Sequence, residues 1–362
     1  MKVTIIAGAR PNFMKVAPII HAIKKEQQNG KLISYRLVHT GQHYDNALSG
    51  NFFSDLSIPI PDANLEVGSG SQAVQTANIM IRFEEELLAN LPDVVLVVGD
   101  INSTMACSIV AKKVGVQLVH VEAGIRSFDL SMPEEINRMV TDSITDHYFT
   151  TSIFANSNLL NTGVGKDRIH YVGNTMIDSL LSNMGKFVKP KIWEIKNLSK
   201  KEYFVLTLHR PSNVDSIETL ENIVTKIDSV TGDIPIIFPV HPRTLINLKK
   251  LRYKPKNMVI IDPLRYLEFM YLVKNAWAVI TDSGGIQEET TVLGVPCITL
   301  RKNSERPETI TDGTNELVWD INKLDEKIKL IINGNWKAGK IPELWDGKTS
   351  ERITKKLIEL YC

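Results

Sequence analysis

The sequence predicts an α/β protein made of two Rossmann-like, doubly wound parallel-sheet domains facing a cleft. Short apolar, β-branched runs alternate with longer helical patterns along the chain, the signature of parallel strands joined by crossover helices. Many of these runs, VVLVV at 94–98 among them, are continuously apolar rather than alternating, as strands covered by helices on both faces must be. The chain has 362 residues, and at about 100–200 residues per domain it divides into two.

Taken in order, the strand candidates of the first half are 2–7, 35–39, 93–98, 117–121, 148–150 and 169–172. Those of the second half are 203–208, 234–240, 258–261, 278–281 and 297–300. Helical patterns lie between them at 72–89, 103–114, 134–144, 217–230 and 285–293. The Lys-rich stretch 185–201, with Pro190, reads as a surface connection containing some helix. The expected domains are therefore 1–172 and 173–345. A terminal helix follows at 346–362, with Ile353, Leu357 and Leu360 at helical spacing, to pack back on the N-terminal domain or on the second one.

Composition narrows the function. Hydrophobic residues make up 43% and charged residues 23%, with a net charge of +1, so no basic field favours nucleic acid or anionic lipid. Neither is expected as a partner, and no apolar run approaches the roughly 18 residues of a membrane helix. The N-terminal run in MKVTIIAGARP is too short for a signal-peptide core. Cys107, Cys297 and Cys362 are scattered, which fits reduced thiols in a cytoplasm rather than a disulfide framework or a zinc site. Gly8-Ala9-Arg10 breaks the GxGxxG dinucleotide fingerprint with a bulky cation, and there is no Walker A motif. Asp142 and Asp146, four apart on a predicted helix, read as a solvated face. Neither a metal nor a cofactor is expected.

The informative feature is where charge falls relative to strands. Six apolar runs end in an ionisable side chain beside Gly or Pro: Arg10, Asp100, Glu122, His209, His241 and Asp282. In open parallel sheets ligands bind outside the carboxyl ends of the strands. Three of these ends come from each half. The sharpest local motif is Ser283-Gly284-Gly285-Ile286-Gln287-Glu288-Glu289: a strand stops, two glycines let the backbone approach a ligand, and a helix N-terminus favours phosphate. Glu288 and Glu289 suit the same dipole as surface residues, and a carboxylate here also suits ribose hydroxyls, with room for one of them to face a ligand. Arg10 with Lys15, about one helical turn on, forms a second candidate anion site, and Arg306 is a third cation. Each of the three is also readable as a surface charge.

Ten stretches recur in the order of one family: GARPNFMK at 8–15, TGQH at 40–43, DVVLVVGD at 93–100, HVEAGIR at 120–126, PEEINR at 133–138, GNTMID at 173–178, LHR at 208–210, PVH at 239–241, TDSGGIQEE at 281–289 and ERPE at 305–308. Along essentially its whole length the chain resembles the non-hydrolysing UDP-N-acetylglucosamine 2-epimerases. The resemblance implies a glycosyltransferase-B-like fold, a homodimer, and UDP held mainly by the C-terminal domain through Ser283, Gly284, Gly285, Glu289, Arg306 and Phe269, with Arg10 joining from the other side. It puts Lys15 near the active site and assigns catalysis to Asp100, Glu122, Glu134 and His209. His209 also reads as a phosphate contact, and His241 is equally ambiguous. Glu122 also reads as a backbone anchor, and Glu134, after Pro133, as a favourable charge at a helix start.

The implied reaction inverts C2 of a UDP-linked N-acetylamino sugar without nicotinamide or metal, for cell-surface polysaccharide precursors. The C2–H of an aldose is not acidic. Expelling UDP builds cationic character at C1, a carboxylate takes the C2 proton, and UDP re-adds while a proton arrives on the opposite face. That route needs two proton-handling groups and cations for the departing diphosphate. One departure concerns regulation: Gln42 matches glutamines with which many bacterial members bind a second UDP-GlcNAc, but Asp45 puts a carboxylate where another is expected. The segments 40–45, 127–135 and 209–215 lean towards relatives acting on other UDP-linked sugars, including a 2,3-diacetamido uronate. Since fold does not fix function, a glycosyltransferase, a hydrolysing epimerase and a UDP-sugar-binding module remain the competing readings.

Overall fold

The structure, a computed structural model, describes residues 1–41 and 58–362, with Arg10 and Arg243 described by backbone alone. The readings placed on Gln42, on Asp45 and on the Arg10 side chain lie outside the described residues. The chain forms two compact units, one of Met1–Ser182 with Glu343–Cys362 and one of Asn183–Pro342.

The first unit carries β1 (Lys2–Ala7), β2 (Ser34–His39), β3 (Ala63–Asn64), β4 (Val94–Val98), β5 (Gln117–Val121), β6 (His147–Thr150) and β7 (Ile169–Tyr171). They form one parallel sheet in the order β3-β2-β1-β4-β5-β6-β7. The second unit carries β8 (Phe204–Thr207), β9 (Ile236–Pro239), β10 (Met258–Ile261), β11 (Ala278–Thr281), β12 (Cys297–Thr299) and β13 (Asn315–Leu317), parallel in the order β10-β9-β8-β11-β12-β13. This is the two-unit, doubly wound class that the alternation of patterns predicts.

Burial explains the apolar runs. Every residue of Val94–Val98 is buried, and β4 lies between β1 and β5. Helices Gln72–Ala89 and Asn102–Val114 bring Ile79, Phe83, Ala106 and Val110 onto the β4 side chains. In the second unit Phe204, Leu206, Phe238, Ile280 and Ile298 form the core with Leu220, Val224 and Ile227 of helix Ile217–Thr231. At about 25 cal/mol per Å² of apolar area removed from water, these layers are the main stabilising term. In each sheet the strand order reverses once, between β1 and β4 and between β8 and β11. Among the described residues, no helix is long and apolar enough to cross a membrane.

The units divide at 182/183 and 342/343, whereas composition drew the seam at 172/173. Helix Thr175–Asn183 belongs to the first unit because tertiary bonds hold it there: the Ser179 hydroxyl donates to the Met14 carbonyl, and Asp178 accepts the Thr349 and Ser350 N–H groups at 3.1 and 2.7 Å. The terminal helix Thr349–Tyr361 has no side-chain cap of its own. Asp178, 4% exposed, therefore caps it from another helix, satisfying two of its four orphan donors. Ile353 and Leu357 are fully buried, and Lys25 of helix Arg10–Gln28 pairs with Glu351 at 2.8 Å. Asp178→Ala is expected to lower stability by about 1–3 kcal/mol, because it strands buried N–H groups; urea denaturation followed by far-UV circular dichroism measures this.

Candidate functional site

Ligand crevices in open parallel sheets lie where the strand order reverses, outside the carboxyl ends. In the first unit that point is flanked by the ends of β1 and β4. Beyond β1 the chain enters helix Arg10–Gln28, which starts at Arg10 and carries Lys15. Beyond β4 comes Gly99, at φ +71, where an added Cβ would lie 3.1 Å from Lys15 Nζ and 3.7 Å from Glu122 Oε2. The glycine lets these side chains crowd the strand end. Glu122 follows β5 with φ at 72, a backbone state that costs a non-glycine residue of order 1–3 kcal/mol and gathers at functional sites. Its carboxylate pairs with Lys15.

Asp100, next to Gly99, accepts from Arg138 Nε and Nη2 at 3.0 and 2.8 Å through one oxygen. Arg138 is also bound to Glu135 at 2.5 Å. Glu135 in turn holds the Ser127 and Phe128 N–H groups at 2.9 and 3.0 Å. Glu134 is half-buried in the first turn of the same helix, Pro133–Ile144, and has no hydrogen-bond or ion-pair partner among the described residues. The first unit thus gathers Lys15, Glu122 and Asp100 around Gly99 and leaves Glu134 one helical turn before Arg138.

The second unit repeats the plan at the ends of β8 and β11. His209 follows β8 and Asp282 follows β11, with His209 Nδ1 2.7 Å from Asp282 Oδ1. Ser283 then leads helix Gly284–Leu293, whose first turn holds no acidic residue. A Cβ at Gly284 would meet no described atom within 4 Å, so there is open space at this glycine. Glu288 and Glu289 are not surface residues: they are 1% and 4% exposed. Glu288 is bonded by Arg306, itself buried, so Arg306 is not a surface charge either. Glu289 accepts from the Tyr266 hydroxyl at 3.0 Å. Phe269 lies half-buried one turn after Tyr266 on helix Tyr266–Asn275. His241, past the end of β9, is exposed.

Sequence reasoning missed the partners. Asp142 is not part of a solvated face: it is 3% exposed, with its two oxygens 2.7 Å from His120 Nδ1 and 2.6 Å from Arg126. His120 Nε2 reaches the Gly99 carbonyl at 2.8 Å. Burial pushes the Asp142 carboxyl up, but its bonds to His120 and Arg126 outweigh this and hold it below the ordinary carboxylate range. Asp146 lies beyond the helix, bound to Lys112 and to the Leu118 N–H, both at 2.7 Å. HVEAGIR and PEEINR contain His120, Arg126, Glu135 and Arg138, but nothing in the sequence says which of these buried charges neutralise one another.

Burial pushes the Glu289 carboxyl up to about 8, with the Tyr266 hydroxyl opposing and Glu288 adding. A folded value above the unfolded one means that the folded state holds a proton between about pH 4.5 and 8 that the unfolded chain has released, so stability falls as pH rises through that window. Glu289→Gln keeps an acceptor for Tyr266 and has no proton to lose. Its melting temperature, scanned from pH 5 to 8, is expected to rise relative to the parent's as pH increases.

The arrangement can bind an anion at the second unit's switch point and handle protons at the first unit's. A profile of the family described as UDP-N-acetylglucosamine 2-epimerase matches residues 25–358. The UDP-N-acetylglucosamine 2-epimerase of Methanocaldococcus jannaschii is 43% identical over 99% of each chain. The UDP-2,3-diacetamido-2,3-dideoxy-D-glucuronate 2-epimerase of Pseudomonas aeruginosa is 38% identical over 88% of each. A crystal structure of the M. jannaschii enzyme in complex with UDP-GlcNAc and UDP matches with a TM-score of 0.88 at 43% identity, covering 99% of this chain and all of that one. The chain belongs to the UDP-N-acetylglucosamine 2-epimerase family.

Proposed function

We propose that the chain inverts C2 of a UDP-linked N-acetylamino sugar, interconverting UDP-GlcNAc and UDP-ManNAc, by eliminating and re-adding UDP. The observation that carries this reading is the division of labour between the two switch points: an uncompensated helix N-terminus after β11, and paired acids and cations after β4 and β5. The M. jannaschii relative crystallised with UDP-GlcNAc and UDP supports the same substrate here.

In this reading the Ser283–Gly284–Gly285 turn receives the diphosphate, aided by Arg306 and by Arg10. Glu289 and Phe269 hold the nucleoside, with His241 a further contact. The C1–O bond breaks with its electron pair leaving on UDP, and one carboxylate of Asp100, Glu122 and Glu134 takes the C2 proton to leave a 2-acetamidoglucal. A second acid then returns a proton to the other face of C2 while the UDP oxygen re-forms the bond to C1. Lys15 neutralises Glu122, and His209 faces the charge that develops on the diphosphate.

The same reading makes the protein a cytoplasmic homodimer that supplies precursors for cell-surface polysaccharide. Val74, Ile81 and Leu88, seven residues apart on helix Gln72–Ala89 and 54%, 58% and 62% exposed, support a partner on that face.

Incubation with UDP-GlcNAc in D2O, followed by NMR, is expected to place one deuterium at C2 of a UDP-linked product, with no free sugar as the main product. Release of free sugar would favour a hydrolysing enzyme. Turnover of only the 2,3-diacetamido uronate would move the substrate to that of the P. aeruginosa relative. In the same assay Asp100→Asn is expected to lower kcat by about 10²–10⁴ in a protein that still folds, since Arg138 keeps Glu135; near-normal kcat would remove Asp100 from the chemistry.

A further inference from the structure

We infer that Asp282 is a positioning residue for His209, fixing the imidazole so that Nδ1 carries the hydrogen and Nε2 is the nitrogen presented to substrate. This rests on the proposed reaction, in which His209 accepts a proton at Nε2 and, so protonated, donates to the departing diphosphate.

The geometry follows from strand pairing. β8 and β11 are parallel neighbours with Thr207 opposite Thr281, their hydroxyls 2.6 Å apart. The two chains leave the sheet together, and the Asp282 side chain reaches under the turn at 209–213. It accepts the His209 N–H at 3.1 Å by both oxygens, the Arg210 N–H at 3.0 Å and Asn213 Nδ2 at 3.1 Å, besides facing His209 Nδ1 at 2.7 Å. Asp282 is fully buried, whereas the His209 side chain is 55% exposed. An anchored ring face thus meets an open one.

Every group that Asp282 touches is a donor or can be one. Burial pushes its carboxyl up, but the bonds from His209, Arg210 and Asn213 prevail and hold it below the ordinary carboxylate range. An ionised carboxylate only accepts, so Nδ1 must donate and Nε2 is left free. The charges around it keep their own partners: Arg210 Nε bonds the Asp282 carbonyl at 3.1 Å, and Glu305 is held by Arg301 at 2.7 Å. Nothing in the sequence marks Asp282 as more than another polar strand end.

Nitrogen-15 NMR of the parent protein, at a pH where His209 is neutral, is expected to show the Nδ1–H form; the Nε2–H form would overturn the assignment. That measurement needs no variant to fold. Asp282→Asn lets an amide donate to Nδ1 and is expected to switch the ring to Nε2–H. It should lower kcat about tenfold or more while KM and the Kd for UDP stay within about twofold, and it should add nothing to His209→Asn in the double variant. Asn213→Ala removes one donor from the same carboxylate and leaves the imidazole contact, so turnover should stay within about threefold. Normal kcat in Asp282→Asn beside an impaired His209→Asn overturns the positioning role, as does an Asn213→Ala defect equal to that of Asp282→Asn. Normal kcat in His209→Asn also overturns it, by removing His209 from the chemistry. Failure of the parent protein to epimerise any UDP-sugar overturns the functional reading instead, and the tautomer spectrum still tests the geometry.

Discussion

All strands of each sheet point the same way, and the rest of the structure depends on that constraint. Parallel pairing puts every carboxyl end on one edge, and a single reversal of strand order opens that edge at β1/β4 and at β8/β11. A polar residue one or two positions past a buried strand is thereby delivered to the crevice while the strand itself stays apolar. Asp100, Glu122, His209 and Asp282 arrive by this one route.

Charges gathered at a half-buried edge are costly to desolvate, and the structure meets the cost with partners. Glu122 has Lys15, Asp100 has Arg138, Asp142 has His120 and Arg126, Glu288 has Arg306, and Glu305 has Arg301. Such pairs add little net stability over well-packed apolar residues, yet removing one member strands a buried charge at about 3–5 kcal/mol. They hold acids and cations in fixed positions before any substrate arrives, which suits stabilising charge that develops during a reaction. Glu289 differs: its neighbours are the Tyr266 hydroxyl and Glu288, and burial pushes its carboxyl up to about 8.

The central strands were legible because their signal is local. VVLVV at 94–98 is apolar throughout and becomes β4 unchanged; β3 and β13, of two and three residues with Asn in each, carry no such signal. The strand-end rule located the edge where candidate residues gather, since it needs only the order of apolar and polar residues. Pairing was not legible. Arg138 meets Asp100 across 38 positions and His120 meets Asp142 across 22, and only the folded chain fixes those distances. Asp142 looked solvated because an Asp on a helix usually is, and His120, to which it is bonded, sits on a different element. The seam was drawn from lysine content, whereas the bonds from Asp178 and Ser179 decide which unit the helix Thr175–Asn183 joins.

The proposed reaction turns on rupture of the bond between C1 and the diphosphate, which calls for an anion-binding turn and for proton-handling acids. UDP-GlcNAc labelled with oxygen-18 in that bridge tests it most directly. During turnover the label is expected to scramble into the non-bridging positions of the β-phosphate, because a freed diphosphate rotates before it returns. Inversion at C2 with the label retained wholly in the bridge would contradict the account.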